Sequence, residues 1–253
     1  MLLELSHVYK SFGGVQAVQD VSLSVDQNQI CCLIGPNGAG KTTIFNLITG
    51  IYRSDSGSII FNNKDISNLE SHNIAKLGIA RTFQNIRLFK GLSVIGNLLI
   101  PQDSSKTYSV LSAMLKLPSC KKIDNENMDR CMGYLELLGL ADYRDEDPTN
   151  LPYGIQRKVE LGRALACSPK LLMLDEPAAG LNPSEVSEFI ELLRKLRQKF
   201  DFSILLIEHR MTVVNELSEY IYVLNFGEIL AHGKPEFVRK DREVIKAYLG
   251  EEG

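Results

Sequence analysis

Gly35-Pro36-Asn37-Gly38-Ala39-Gly40-Lys41-Thr42 fills the pattern G-x-x-x-x-G-K-[ST], with the apolar run Ile30–Ile34 before it and a helical pattern, Thr43–Ile48, after it. A strand, a Gly-rich loop and a helix in that order let backbone N–H groups turn inward around phosphate oxygens, and the helix N-terminus adds a favourable dipole. Lys41 supplies a point charge to the β- and γ-phosphates, and Thr42 offers a hydroxyl to Mg²⁺. At usual residue frequencies a match in a chain of this length is roughly a one-in-a-hundred accident. The loop is therefore expected to hold a nucleoside triphosphate, with Gly35, Pro36, Asn37, Gly38, Ala39, Gly40, Lys41, Thr42 and Thr43 around it.

A second apolar run, Leu171-Leu172-Met173-Leu174, ends in Asp175-Glu176. Taken alone, two carboxylates at a strand end are as readily a solvated terminus. Beside a phosphate loop, Asp175 fits a Mg²⁺ ligand, and Glu176, on the opposite strand face, fits a group that polarises water in line with the γ-phosphate. In the run that follows, Asn182 as N-cap, Pro183 at the first helical position and Glu185 three residues on spell a helix start.

Outward from these two strands, the first 70 residues alternate like short strands at Leu2–Leu5, Val21–Val25, Ile30–Ile34 and Ser58–Phe61. Helical patterns follow at Ser71–Leu77, Ser93–Ile100, Val110–Lys116 and Glu126–Leu138, with polar, Pro-containing stretches at Pro101–Thr107 and Pro118–Asn127. Beyond Leu151 come a helix (Ile155–Ala166), the Leu171–Leu174 strand, a helix (Ser184–Phe200), a strand (Ile204–Ile207), a helix (Met211–Glu219), a strand (Ile221–Leu224) and a helix (Arg242–Leu249). Apolar strands without alternation, interleaved with amphipathic helices, predict an α/β sheet covered on both faces. The expected organisation is one nucleotide-binding domain over 1–253, with 1–70 and 168–253 as the core and 71–167 as an inserted helical subdomain.

Composition narrows the partners. The 253 residues carry 28 Lys+Arg against 31 Asp+Glu, a net charge of −3, with 44% hydrophobic and 23% charged residues. These ordinary globular values exclude disordered, collagenous and solenoid classes, and without a basic run nucleic acid is not an expected partner. No apolar stretch approaches the ~18–20 residues of a membrane span; Leu92–Ile100 is broken by Gly96 and Asn97. Met1-Leu2-Leu3-Glu4 lacks the features of a signal peptide, so a cytosolic chain is expected. The five cysteines, at 31, 32, 120, 131 and 167, form no C-x-x-C pair and read as reduced apolar side chains rather than a metal site.

With Leu151-Pro152-Tyr153-Gly154-Ile155-Gln156-Arg157 just upstream of Leu174-Asp175-Glu176, the chain resembles the ATP-binding-cassette (ABC) transporter ATPases over essentially its whole length. The resemblance implies a P-loop α/β core with an N-terminal antiparallel β-subdomain and an inserted α-helical subdomain. It also implies ATP and Mg²⁺ as ligands. Gln84, in Arg81-Thr82-Phe83-Gln84, corresponds to the glutamine that senses Mg²⁺ and attacking water, giving Thr42, Gln84 and Asp175 as the metal set. His209 corresponds to the switch histidine at the γ-phosphate, so Glu176, His209 and Gln84 are the expected catalytic group. Phe12 stands where the family stacks an aromatic on adenine, and Gly154 where a signature faces the ATP held by a second ATP-binding subunit. A cytoplasmic helix of transmembrane permease subunits is expected to dock on Asn85–Lys90 through Ile86, Leu88 and Phe89. A periplasmic or extracellular binding protein would act indirectly, with the chain on the cytoplasmic face of the plasma (inner) membrane.

Leu151–Arg157, Leu174–Pro183 and the closing Ala247-Tyr248-Leu249-Gly250 further resemble the longer ATPase of branched-chain amino-acid importers, as does the insertion from Gln102 to Asn125. Three features depart from the family pattern. Pro152 replaces a serine whose hydroxyl would reach the partner's γ-phosphate, and proline has no N–H to substitute for it. Ile155 replaces a common Gln, and Asn182 a common Asp. A regulatory module that binds ATP and hydrolyses it weakly therefore stands as an alternative, as do importers of urea, amides or other amino acids. A P-loop GTPase does not, because Asn63-Lys64-Asp65 misses the Asn-Lys-x-Asp spacing.

Overall fold

The computed structural model describes the backbone of residues 1–104 and 118–249, and the side chains of 1–102 and 121–247. The expected helix Val110–Lys116 lies outside the described residues. The chain divides into two compact units, Met1–Gln84 with Lys170–Gly253, and Asn85–Pro169.

The first unit holds two sheets. An antiparallel sheet of order β2-β1-β4-β5 comprises β1 (Leu3–Phe12), β2 (Val15–Val25), β4 (Ser56–Phe61) and β5 (Lys64–Asp65). Strands β1 and β2 run well beyond the short expected segments. They pair to Phe12↔Val15 across the two-residue turn Gly13-Gly14, where both residues have positive φ, a backbone that glycine supplies without strain.

The second sheet has the order β10-β9-β3-β8-β7-β6. Its parallel members are β3 (Ile30–Ile34), β6 (Ile79–Arg81), β7 (Leu171–Asp175), β8 (Ser203–Ile207) and β9 (Tyr220–Asn225); β10 (Glu228–Gly233) returns antiparallel. Every residue of β3, β7 and β8 is buried, which is why they read as unbroken apolar runs. Helices α1 (Lys41–Ile48), α2 (Ser71–Lys76), α6 (Pro183–Lys199) and α7 (Met211–Leu217) intervene, and α8 (Pro235–Val238) and α9 (Arg242–Leu249) close the chain. Of the apolar stripe that helical spacing predicts along α6, Val186, Phe189, Ile190, Leu193 and Leu196 are buried, while Phe200 lies past the helix end as its half-buried C-cap.

The helical unit begins at Asn85 rather than Ser71. Ile79–Arg81 forms β6, whose pairing with β7 (Ile79↔Leu171, Arg81↔Met173) ties this stretch and α2 to the sheet. The unit contains α3 (Val94–Ser104), α4 (Pro118–Leu138) and α5 (Tyr153–Ala166), which pack on one another. Two of these helices exceed expectation: α3 runs through Pro101, and α4 starts inside the polar stretch Pro118–Asn127. Gly162 on α5 meets Leu138 and Leu98 so closely that an added Cβ would stand 2.8 Å from Leu138 Cδ1.

Candidate functional site

The parallel strands deliver the site by register. Leu33 pairs with Ile207, and Ile207 with Asp175, so β3, β8 and β7 end in line and their outgoing loops share the carboxyl edge of the sheet. That edge is where open α/β sheets bind ligands. The sequence after β3 leaves no room for side chains on the inner turn. A Cβ on Gly35 would lie 2.0 Å from the Leu224 carbonyl oxygen, and one on Gly40 2.4 Å from that of Ala17. Gly40 is the N-cap of α1, so the N–H groups of Lys41, Thr42 and Thr43 precede the first intrahelical bond, from Ile44 N to Gly40 O (3.0 Å).

Lys41 is buried, and its ammonium donates to the carbonyls of Gly35 (2.7 Å) and Pro36 (2.8 Å). Burial pulls its pKa below the ordinary lysine range, while the charges of Glu176 and Asp175 pull it back up. Thr42 is exposed and Thr43 half-buried.

At the end of β7 the two carboxylates part company. Asp175 is buried and pairs with Arg81 (Oδ2···Nη2 2.7 Å). Glu176 leaves the strand with φ 48°, an uncommon backbone for a residue with a Cβ and one that gathers at functional sites. Its Oε2 accepts from Gln84 Nε2 (2.8 Å), and its Oε1 lies 2.6 Å from His209 Nε2. A carboxylate is an acceptor, so this last contact requires the proton on Nε2. The structure thus brings Gln84, Glu176 and His209 into one hydrogen-bonded chain.

Phe12 lies on the same unit at the tip of β1 and is 41% exposed. The Tyr52 ring meets it edge-on at 5.0 Å, and the Lys10 ammonium sits 5.3 Å from its centroid. Gly154 belongs to the helical unit, half-buried in the first turn of α5. Pro152 is the N-cap there, with no side-chain cap, and its carbonyl accepts from Ile155 N (2.9 Å) and Gln156 N (3.0 Å). The N–H groups of Tyr153 and Gly154 come before those bonds.

Two charged residues escaped the sequence reading. Arg81 is one, and Glu208 the other. Glu208 is 2% exposed and accepts from three backbone N–H groups, those of Ala178 (3.0 Å), His209 (2.9 Å) and Arg210 (3.0 Å). It ties the loop after Glu176 to the loop carrying His209. Its only sequence signal is a carboxylate directly after a wholly apolar strand, where a solvated terminus is the commoner outcome. In the expected docking segment, Phe89 is 48% exposed, while Ile86 and Leu88 are half-buried. Asn97 clasps the Phe89 backbone, accepting from its N–H (2.8 Å) and donating to its carbonyl (3.2 Å).

A phosphate loop, an acidic strand end and a histidine in the loop after the neighbouring strand β8 make up the arrangement of a P-loop nucleoside-triphosphatase site. Residues 18–179 match the ABC transporter family, and residues 228–253 match the branched-chain amino acid ATP-binding cassette transporter family. The high-affinity branched-chain amino acid transport ATP-binding protein LivG of Escherichia coli K12 is 44% identical over 250 residues, 99% of this chain and 98% of that protein. BraF of Pseudomonas aeruginosa, of the same description, is 43% identical over the same shares. Among solved structures, a nucleotide-free ATP-binding cassette from an ABC transporter superposes with a TM-score of 0.85 at 34% identity, over 99% of both chains. The ADP conformation of an ABC-transporter cassette superposes with a TM-score of 0.84 at 34% identity, again over 99% of both chains. This chain belongs to the ABC transporter family of ATP-binding cassettes, a class of ATPases. No helix among the described residues is long and apolar enough to cross a membrane.

Proposed function

We propose that this chain is the ATP-hydrolysing subunit that powers import of branched-chain amino acids through a membrane permease, working from the cytoplasmic face. The observation that carries the catalytic part of this reading is Glu176, held between Gln84 and His209 at the mouth of the phosphate loop's sheet edge. The cargo class rests on likeness to the LivG and BraF proteins along nearly the whole chain.

In this reading the adenine lies on the exposed face of Phe12. The loop Gly35–Gly40 and the first turn of α1 present N–H groups to the phosphates, and Lys41 exchanges its two carbonyl partners for phosphate oxygens. Thr42, Gln84 and Asp175 would hold Mg²⁺. Their hydroxyl, amide and carboxylate oxygens are the hard donors this ion prefers, and one Asp175 oxygen is not engaged by Arg81. When bound, the ion neutralises charge on the β- and γ-phosphate oxygens. Glu176 orients water and accepts its proton as the water oxygen bonds to the γ-phosphorus and the bridge to ADP breaks. His209 keeps the Glu176 carboxylate aimed, and Gln84 holds its other oxygen. Gly154 serves the nucleotide of a second cassette, a copy of this chain or a homologous subunit, through the free N–H groups at the start of α5. Exposed Phe89 is the centre of the permease-docking surface.

The test is uptake in the source cells, wild type against a chromosomal Glu176→Gln variant, with labelled leucine, isoleucine, valine, a non-branched amino acid and urea. Selective loss of the branched-chain three is the expected result. Unchanged uptake of all five would overturn the cargo class, and ATPase activity of the purified assembly no higher in wild type than in Glu176→Gln would overturn the catalytic assignment.

A further inference from the structure

We propose that Arg81 is a positioning residue for the metal site: it fixes Asp175 so that one carboxylate oxygen alone is presented to Mg²⁺, and it locks that oxygen to the helix that carries Thr42. The proposal rests on the metal set described above and adds to it a residue that touches neither nucleotide nor metal.

The geometry singles Arg81 out. Its side chain is 6% exposed and that of Asp175 4%, with Nη2 2.7 Å from Oδ2. The other arm of the guanidinium, Nη1, donates to Asn46 Oδ1 at 2.7 Å and reaches Thr49 Oγ1 at 3.4 Å, both at the end of the helical stretch that begins at Lys41. The planar group also lies 5.3 Å from the Phe45 centroid and 5.0 Å from that of Phe83. One side chain therefore joins the helix bearing Thr42, the strand end bearing Asp175, and the segment that reaches Gln84 three residues later. Those are the three segments that supply the metal ligands.

A purely structural ion pair accounts poorly for this arrangement. Buried pairs are weak contributors to stability, because desolvating two charges cancels most of their attraction. Arg81 also leaves Nε buried with no hydrogen-bond partner among the described residues, a further cost. What the fork does supply is orientation. A carboxylate with one oxygen held in a charge-assisted bond has lost the freedom to turn and chelate through both. Mg²⁺ demands near-ideal octahedral geometry, so a ligand fixed in one rotamer favours it, and outer partners of metal ligands commonly govern affinity in this way.

The experiment measures binding of a fluorescent ATP analogue to the purified chain, first in EDTA and then as Mg²⁺ is raised. Wild type is expected to bind more tightly with Mg²⁺, and Asp175→Asn to lose that gain. Arg81→Lys keeps the charge but not the fork; its half-saturating Mg²⁺ concentration should rise about tenfold, with affinity in EDTA within about twofold of wild type. Asn46→Ala leaves the ion pair and cuts the tether, and should move the Mg²⁺ midpoint the same way by about threefold. It decides the matter if Arg81→Lys fails to fold. Mg²⁺ midpoints equal to wild type in the folded variants would overturn the proposal. So would affinity lost equally in EDTA and Mg²⁺, which would mark a role in shaping the phosphate loop instead. A wild-type chain whose affinity ignores Mg²⁺ would overturn the metal-site reading itself, and this proposal with it.

Discussion

Replacing Glu208 by Gln removes one charge and one acceptor from a side chain that serves three backbone N–H groups. The amide oxygen can take the position facing His209 and Arg210, but the NH₂ group then confronts the N–H of Ala178, donor against donor. Loss of that charge-assisted bond costs about 1.5–3 kcal/mol, and turning the other two into neutral bonds costs about 1 kcal/mol each. The sum, about 3.5–5 kcal/mol, leaves a domain of typical stability folded. The loops it releases carry Glu176 and His209, and a displacement of ~1 Å at a reacting group can cost on the order of 100-fold in rate. Urea unfolding followed by circular dichroism should show a lower midpoint at constant slope. Steady-state ATPase of the purified assembly should show kcat reduced on the order of 100-fold with KM for ATP little changed. A variant as stable as wild type would refute the claim that the three N–H groups depend on this carboxylate. A less stable variant with full kcat would refute its role in aligning the two loops.

Gly40→Ala drives a Cβ to 2.4 Å from the Ala17 carbonyl oxygen at φ 105°, and should abolish ATP binding with a stability loss of about 2–3 kcal/mol, read by calorimetry. Phe12→Ala removes the exposed ring and should raise KM for ATP about tenfold at constant kcat, with Phe12→Tyr close to wild type. Phe89→Asp should eliminate uptake while leaving nucleotide affinity of the isolated chain unchanged; surviving uptake would remove Phe89 from the docking surface. Burial pushes the thiol of Cys31 up to about 12 and that of Cys131 up to about 11, and Cys32 is pushed up further still. Iodoacetamide at pH 8 should therefore spare these three in the native chain and modify them in urea, read in peptide mass spectra, while exposed Cys167, whose thiol burial also raises, should be modified in the native chain more slowly than in urea.

The phosphate loop, the acidic strand end and the capping box of α6 were legible because each is a local pattern with a local cause. Asn182 accepts from Glu185 N (3.0 Å) and Glu185 accepts from Asn182 N (2.8 Å), as their spacing predicts. Strand β6 was not legible: three residues give no periodicity, and pairing with β7 is what holds them extended. Strand β10 hides for a different reason. All six of its residues are half-buried or exposed, so it lacks the apolar run that marks β3, β7 and β8. In the first half of helix α4 the described residues 121–126 are exposed apart from half-buried Ile123, so the apolar spacing that signals a helix is missing there. Arg81 and Glu208 fail to stand out because charge reads as surface in a single sequence. Only the fold reveals which charges have been drawn inside to hold others.

Strands β6 and β7 are neighbours in the sheet, yet about ninety residues of chain separate Ile79 from its partner Leu171. Closing so long a loop costs about 2 kcal/mol more entropy than closing one of ten residues. The intervening unit is contiguous in sequence, from Asn85 to Pro169, and can gather through nearby contacts of its own. Once it has done so, its ends no longer wander independently, and the zippering of β6 onto β7 begins from a short tether. The strand whose pairing this tether governs is the one that carries Arg81 and leads to Gln84. The pairing that sets the acidic strand end beside Arg81 thus depends on a part of the chain that, among the described residues, contributes none of the β-strands.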